Sequence, residues 1–184
     1  MSFRKVEQRG DVMLANLLLV PALLLSCISD LTTKKIPNWL TFSAMGLGFV
    51  IYGFNSGLVG IKDSALGLLL GLGLLFIPFA LGGMGAGDVK LLGAVGALKG
   101  AEFVFRAFIG SAFAGGALAL MAIIWRGKLW ACLKWSVPAL KALFYKVITR
   151  GQLKLEVPPF PAGGIGLPYG VAISVGTLAV LVWG

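Results

Sequence analysis

The chain has 184 residues, 58% hydrophobic and only 12% charged, with a mean hydropathy of +0.94 and a net charge of +9. Soluble domains carry about 25% charged residues, so an ordinary soluble protein is excluded and a polytopic membrane protein is implied. Histidine is absent, which removes the imidazole base of a Ser-His hydrolase and the His-Glu-x-x-His zinc site of a metalloprotease.

The first apolar stretch, residues 12–31, is long enough to cross a hydrocarbon core of about 30 Å. It is too long and too deep in the sequence for a cleaved signal peptide and is expected to be retained. Asp30 stands near its end and opens Asp30-Leu31-Thr32-Thr33-Lys34-Lys35-Ile36-Pro37-Asn38. Taken alone, this acid reads as a helix-end carboxylate, solvated or paired with Lys34 or Lys35. Ile36-Pro37-Asn38 reads as a turn that starts the next span, with Asn38 as its cap. Apolar stretches at 39–54 and 65–81 follow. The run Gly82-Gly83-Met84-Gly85-Ala86-Gly87-Asp88 then places four glycines in six residues beside an acid. Each disfavours a helix by about 1 kcal/mol relative to alanine, so a broken backbone is expected there. Asp88 taken alone reads as a cap for the helix that begins with Val89 and Lys90.

The stretch 89–98 reaches spanning length only if Gly85 to Gly87, or residues 100–103, extend it. Residues 103–125 and 165–183 complete a count of about six spans. Between the last two lies a basic segment, 126–164, with Arg126, Lys128, Lys134, Lys141, Lys146, Arg150 and Lys154 against the single acid Glu156. Six spans put this segment on one side with Lys34, Lys35 and Lys90. That side then holds most of the 16 Lys and Arg and is expected to be cytoplasmic, although Arg4, Lys5 and Arg9 pull the other way. Within it, Leu140, Leu143, Phe144, Val147 and Ile148 recur at helical spacing, with Pro138 placed to start a helix and Gly151 to stop it. A short cytoplasmic interfacial helix on anionic lipid is expected. The positive charge thus reads as topology and lipid contact, not as a nucleic-acid surface. Pro158, Pro159 and Pro161, followed by Gly163 and Gly164, form a stiff then flexible approach to the last span.

Most of the 27 glycines recur at small-x-x-x-small spacing, as in Gly67 with Gly71, Gly96 with Gly100 and Gly166 with Gly170. That spacing lets helices approach closely in lipid. Cys27 and Cys132 are isolated in or beside apolar sequence and read as small core residues. No metal ligand set and no cofactor motif is present, so hydrolytic chemistry would fall to carboxylates. Acids at membrane depth are costly, which makes Asp30 and Asp88 the candidates. Two carboxylates about 3 Å apart share a proton, which supplies one general base and one general acid.

In combination, Asp30 six residues before Ile36-Pro37-Asn38 and Asp88 in Gly85-Ala86-Gly87-Asp88 resemble the two motifs of the type IV prepilin peptidase family, in order and at span ends. The resemblance continues through Val89-Lys90-Leu91-Leu92 and returns at Leu167-Pro168-Tyr169-Gly170-Val171. It implies an all-α, polytopic aspartic endopeptidase with catalytic Asp30 and Asp88. Gly85, Gly87 and Lys90 would shape the site, and Ile36, Pro37, Asn38, Pro168, Tyr169 and Gly170 would border it. It further implies cleavage of the basic leader of prepilins or pseudopilins at the cytoplasmic face of the bacterial inner membrane, with only indirect contact with pilus assembly machinery. The paired Cys-x-x-Cys motifs of larger, N-methylating members are missing, so a single peptidase domain over 1–184 without a methyltransferase region is expected. The compact form is similar to peptidases of tight-adherence (Flp) pilus systems. A small proton- or ion-coupled transporter, or a non-catalytic assembly factor of the same fold, would use the acids differently.

Overall fold

The structure, a computed structural model, describes residues 2–80, 83–125, 127 and 168–183, with 2–12 described by backbone alone. Every regular element among them is an α-helix: α1 (Ser2–Thr33), α2 (Asn38–Ala80), α3 (Ala86–Trp125) and α4 (Tyr169–Trp183). Residues Met13–Thr33 of α1, together with α2 and α3, are long and apolar enough to cross a membrane. The distribution of side chains is that of a protein solvated by lipid. In α2 the small or polar Gly48, Gly60, Ser64, Gly67 and Gly71 are buried, while Phe54, Leu58, Leu66, Leu69 and Phe76 are exposed. Lipid removes the incentive to hide large apolar groups, so close helix contact is left to the smallest ones.

The chain divides into two compact units, Met1–Gly115 with Pro168–Gly184, and Gly116–Leu167. In the second, α3 ends at Trp125, where the N–H of Gly127 (φ 63°) donates to the Ile124 carbonyl at 3.0 Å. The expected interfacial helix, the proline-rich approach, Cys132 and Gly166 lie outside the described residues.

In the first unit, α2 and α3 each contain one glycine in a conformation that only glycine adopts readily. These are Gly57 (φ 56°, ψ −136°) and Gly100 (φ 82°, ψ 177°). They divide the runs into helical segments 38–56 and 58–80, and 86–99 and 101–125. An unbroken α2 would hold residues 48 and 67 about 28 Å apart at 1.5 Å per residue. Yet a Cβ at Gly48 would fall 2.5 Å from the Ala97 carbonyl oxygen, and one at Gly67 would fall 2.1 Å from that of Gly96. Helix α2 therefore folds back on itself at Gly57, and both of its arms lie against residues 86–99. Ser64 Oγ seals this contact by donating to the Ala97 carbonyl at 2.9 Å.

The expected close-packing glycines are thus found at Gly67, Gly71 and Gly96, whereas Gly100 also serves as a turn. The segment that looked too short, 89–98, gains length at its N-terminal end, where α3 starts at Ala86, and stops at Gly100. It is the centre of the unit. Residues 88, 89 and 91–98 are buried and Lys90 alone among 88–98 is partly exposed, as expected for a helix largely surrounded by others.

Candidate active site

Helix α1 buries Ala15, Leu19, Ala22, Leu23, Ser26 and Asp30. These positions fall on one face at helical spacing, so Asp30 is the last member of an inward stripe. The helix then ends sharply. Lys34 takes a left-handed conformation (φ 52°), and its N–H returns to the Asp30 carbonyl at 3.1 Å. Ser29 Oγ donates to the Lys35 carbonyl at 2.7 Å, which folds the following loop back over the helix end. Lys34 and Lys35 stay exposed while Ile36 is buried. Asp30 is therefore neither a solvated end group nor paired with these lysines. It is 7% exposed, and its Oδ2 accepts the N–H of Val171, from the first turn of α4, at 3.3 Å.

Asp88 sits in the first turn of α3 and is 8% exposed. The glycine run breaks the helix as its composition requires: α2 ends at Ala80 and residues 83–85 are non-helical. Asp88 Oδ2 accepts the N–H of Gly85 at 3.1 Å, while the Asp88 N–H donates to the Gly85 carbonyl at 3.2 Å. The first bond is the acid's half of a capping box, in which the third helical residue reaches back to the N–H of the residue before the helix, and the second is a backbone turn. Asp88 thus caps its own helix and does so with one oxygen. Neither Asp30 Oδ1 nor Asp88 Oδ1 has a donor among the described residues, and the two carboxylates lie within range of each other's charge.

The remaining motif residues knit the two acids' surroundings together. Gly87 faces Ile36: a Cβ there would come 3.1 Å from the Ile36 Cβ. The bare Cα of Gly87 accordingly makes room for the Ile-Pro-Asn loop. Lys90, one turn below, donates from Nζ to Asn38 Oδ1 at 2.9 Å and lies 5.2 Å from the centre of the Phe42 ring. Asn38 is the first residue of α2, and its side chain engages Lys90 instead of capping its own helix. The first turn of α2 is closed by the Leu40 N–H on the Pro37 carbonyl at 3.2 Å and by Thr41 Oγ1 on the Asn38 carbonyl at 3.0 Å. Gly85 stands beside Asp88, where a Cβ would lie 3.4 Å from Oδ2.

The third motif also arrives here. Gly170 packs its Cα against Asp30, and Pro168 precedes the first turn of α4, accepting the Val171 N–H at 3.1 Å. Tyr169 turns toward α3, with Cε1 3.9 Å from where a Cβ of Gly115 would stand. Ser174, which was not singled out from the sequence, lies one turn further along α4 and donates to the Leu23 carbonyl at 3.0 Å. Its signal was available as a small polar residue four positions after Gly170 on an apolar helix.

A family model described as the type IV leader peptidase family matches residues 17–120. The chain belongs to the type IV leader peptidase family. The match covers both acids, the Ile-Pro-Asn loop and the glycine run, and α4 lies beyond it. Membership makes this membrane protein a member of a peptidase family. Comparisons with curated proteins and with solved structures give no match.

Proposed function

We propose that the chain is an aspartic endopeptidase in which Asp30 and Asp88 form the catalytic pair. The observation that carries this reading is their joint burial at the end of the helical unit where α1 finishes and α3 and α4 begin. In the proposed reaction one ionised carboxylate removes a proton from water, whose oxygen attacks the scissile carbonyl carbon. The other, protonated, carboxyl gives its proton to the carbonyl oxygen. The resulting diol collapses, the C–N bond breaks, and the leaving nitrogen takes up a proton. Each acid is held by a backbone N–H on Oδ2, and among the described residues Oδ1 has no donor, which suits it to water or substrate. Gly85, Gly87 and Lys90 shape the site, and the loop of Ile36, Pro37 and Asn38 borders it together with Pro168, Tyr169 and Gly170.

The substrate we infer is a prepilin or pseudopilin of the Flp type, cleaved after its basic leader while its apolar helix stays in the bilayer. The chain would cross the bacterial inner membrane six times, and the backbone breaks at Gly57 and Gly100 support that count because each divides one long run into two helical segments, of which only 86–99 is shorter than an ordinary span. The active site then faces the cytoplasm, on the side of Lys34, Lys35 and the basic segment 126–164, which would rest on anionic lipid. Contact with pilus assembly machinery is indirect, through the processed substrate, and no nucleic-acid partner is proposed.

The test is cleavage of a co-expressed Flp-type prepilin in membranes by the unaltered chain, Asp30→Asn and Asp88→Asn at matched expression. Loss in both variants is the expected result. Cleavage that persists in either one refutes the pair, and pilus assembly that survives both changes indicates an assembly factor instead.

A further inference from the structure

We propose that the first turn of α4 is a positioning device for Asp30, with the Val171 amide as its donor and Gly170 as the residue that lets it approach. This rests on the catalytic pair proposed above. Three contacts carry it. The Val171 N–H is bifurcated, donating to Asp30 Oδ2 at 3.3 Å as well as to the Pro168 carbonyl at 3.1 Å. A Cβ at Gly170 would stand 2.8 Å from that oxygen, 3.0 Å from Cγ and 3.1 Å from the Asp30 Cβ. Every heavy atom beyond glycine's own backbone would therefore push the carboxylate away. One turn deeper, Ser174 Oγ shares its proton between the Gly170 carbonyl of its own helix at 2.8 Å and the Leu23 carbonyl at 3.0 Å, so the same helix touches α1 a second time, and Gly170 and Ser174 lie on one face of α4.

The chemistry explains why such a grip is useful. A carboxylate swings about its Cβ–Cγ bond unless one oxygen is held, and a helix N-terminus presents unpaired N–H groups and a partial positive charge to do so. Holding Oδ2 fixes where Oδ1 points. Asp88 needs no such helper, because its own helix cap holds Oδ2 from within three residues. Asp30 lies at the C-terminal end of its helix, where no free N–H is on offer, and takes its donor from across 141 positions of sequence. The two acids are thus oriented by different elements, and only one of them depends on α4.

The experiment replaces Val171 by its α-hydroxy acid, which exchanges the N–H for an ester oxygen and leaves every side chain unchanged. The control is the same exchange at Ala172, whose N–H reaches only the Pro168 carbonyl, at 3.4 Å. Both exchanges remove a bond of the first turn, but only the first removes the donor to Asp30. Purified variants are compared with Gly170→Ala and Asp30→Asn on a Flp-type prepilin in detergent micelles. The ester at 171 and Gly170→Ala are expected to lower kcat about 10- to 100-fold with KM within about twofold, as a small misplacement of a reacting group does. The ester at 172 should stay within about threefold of the unaltered chain in both constants. Equal losses from the two esters would mean a merely structural turn and overturn the inference, as would full activity of the ester at 171. Should Gly170→Ala fail to fold, the two esters decide alone. Cleavage by Asp30→Asn at the unaltered rate would remove the catalytic pair itself, and the inference with it.

Discussion

Removing Lys90's charge while keeping its bulk, as Lys90→Met, should uncouple the two acid-bearing motifs, because Lys90 is the one side chain among the described residues that hydrogen-bonds from the Asp88 helix to the Ile-Pro-Asn loop. The bond to Asn38 Oδ1 is 2.9 Å long with a charged donor, which would contribute about 1.5–3 kcal/mol if buried. It is exposed, so about 1 kcal/mol is the appropriate figure. The ammonium lies 5.2 Å from the Phe42 ring centre, worth a further ~0.5–1 kcal/mol at an exposed site. Lys90→Met should therefore lose about 1.5–2 kcal/mol of site organisation, or roughly 10- to 30-fold in kcat/KM if all of it serves the transition state. Asn38→Ala should lose about 1 kcal/mol, near fivefold. The double variant should then be no worse than Lys90→Met alone. The assay is a double-mutant cycle on prepilin cleavage, read as kcat/KM, with a coupling energy of about 1 kcal/mol expected. Strict additivity of the two losses would refute the bridge as the link between the motifs.

Two further perturbations test the packing that supports the site. Gly96→Val places a branched side chain where even a Cβ would lie 2.0 Å from the Gly67 carbonyl oxygen, and backbone cannot yield as a side chain can. A loss of about 3 kcal/mol or more is expected, seen as a marked fall in the unfolding temperature in detergent; unchanged stability would show that the helices do not touch there. Gly87→Ala meets Ile36 Cβ at 3.1 Å, a tight contact that its neighbour can relieve. Cleavage should drop several-fold on the same prepilin substrate, and an unchanged rate would show that the Ile-Pro-Asn loop gives way at this contact without cost to the site.

What could be read in advance followed from local chemistry. The break before Asp88 was legible in the density of glycine, whereas the inward position of Asp30 was not, because Leu17, Leu24 and Ile28 on the exposed faces of α1 are as apolar as the buried Leu19 and Leu23. The Asn55-Ser56-Gly57 turn was legible as a gap between spans, but drawn too wide. The second arm of α2 restarts at once, because Lys62 and Asp63 lowered the apolar signal without stopping the helix. The segment 89–98 looked weakest because hydropathy counts large side chains, whereas a helix ringed by neighbours is built from Gly93, Ala94, Gly96 and Ala97. Asn38 was misread as a cap because its partner, Lys90, is far away in sequence. The contact of Gly170 with Asp30 left no local trace for the same reason: nothing in either motif encodes its distance from the other.

The arrangement of helix ends offers a physical reason for putting both acids where they are. Burying one ionised carboxylate costs several kcal/mol, and burying two side by side adds their repulsion. Helices α2, α3 and α4 all begin at this end of the unit, at Asn38, Ala86 and Tyr169, while α1 and the second arm of α2, which folds back at Gly57, finish there. A helix N-terminus favours a nearby negative charge by about 0.3–1 kcal/mol, and up to ~2 kcal/mol when partly buried, while a C-terminus opposes it. Three favourable ends against two opposed, together with the N–H bonds from Gly85 and Val171, offset part of the cost of a single charge and fall well short of the cost of two. The fold thus suits a pair that carries one negative charge and one proton, the state that the proposed reaction requires. Lys90 fits the same account. It supplies a cation two residues from Asp88 on the same helix, yet Asn38 and Phe42 hold it, so it adds to the field of the site without neutralising the acid by direct contact.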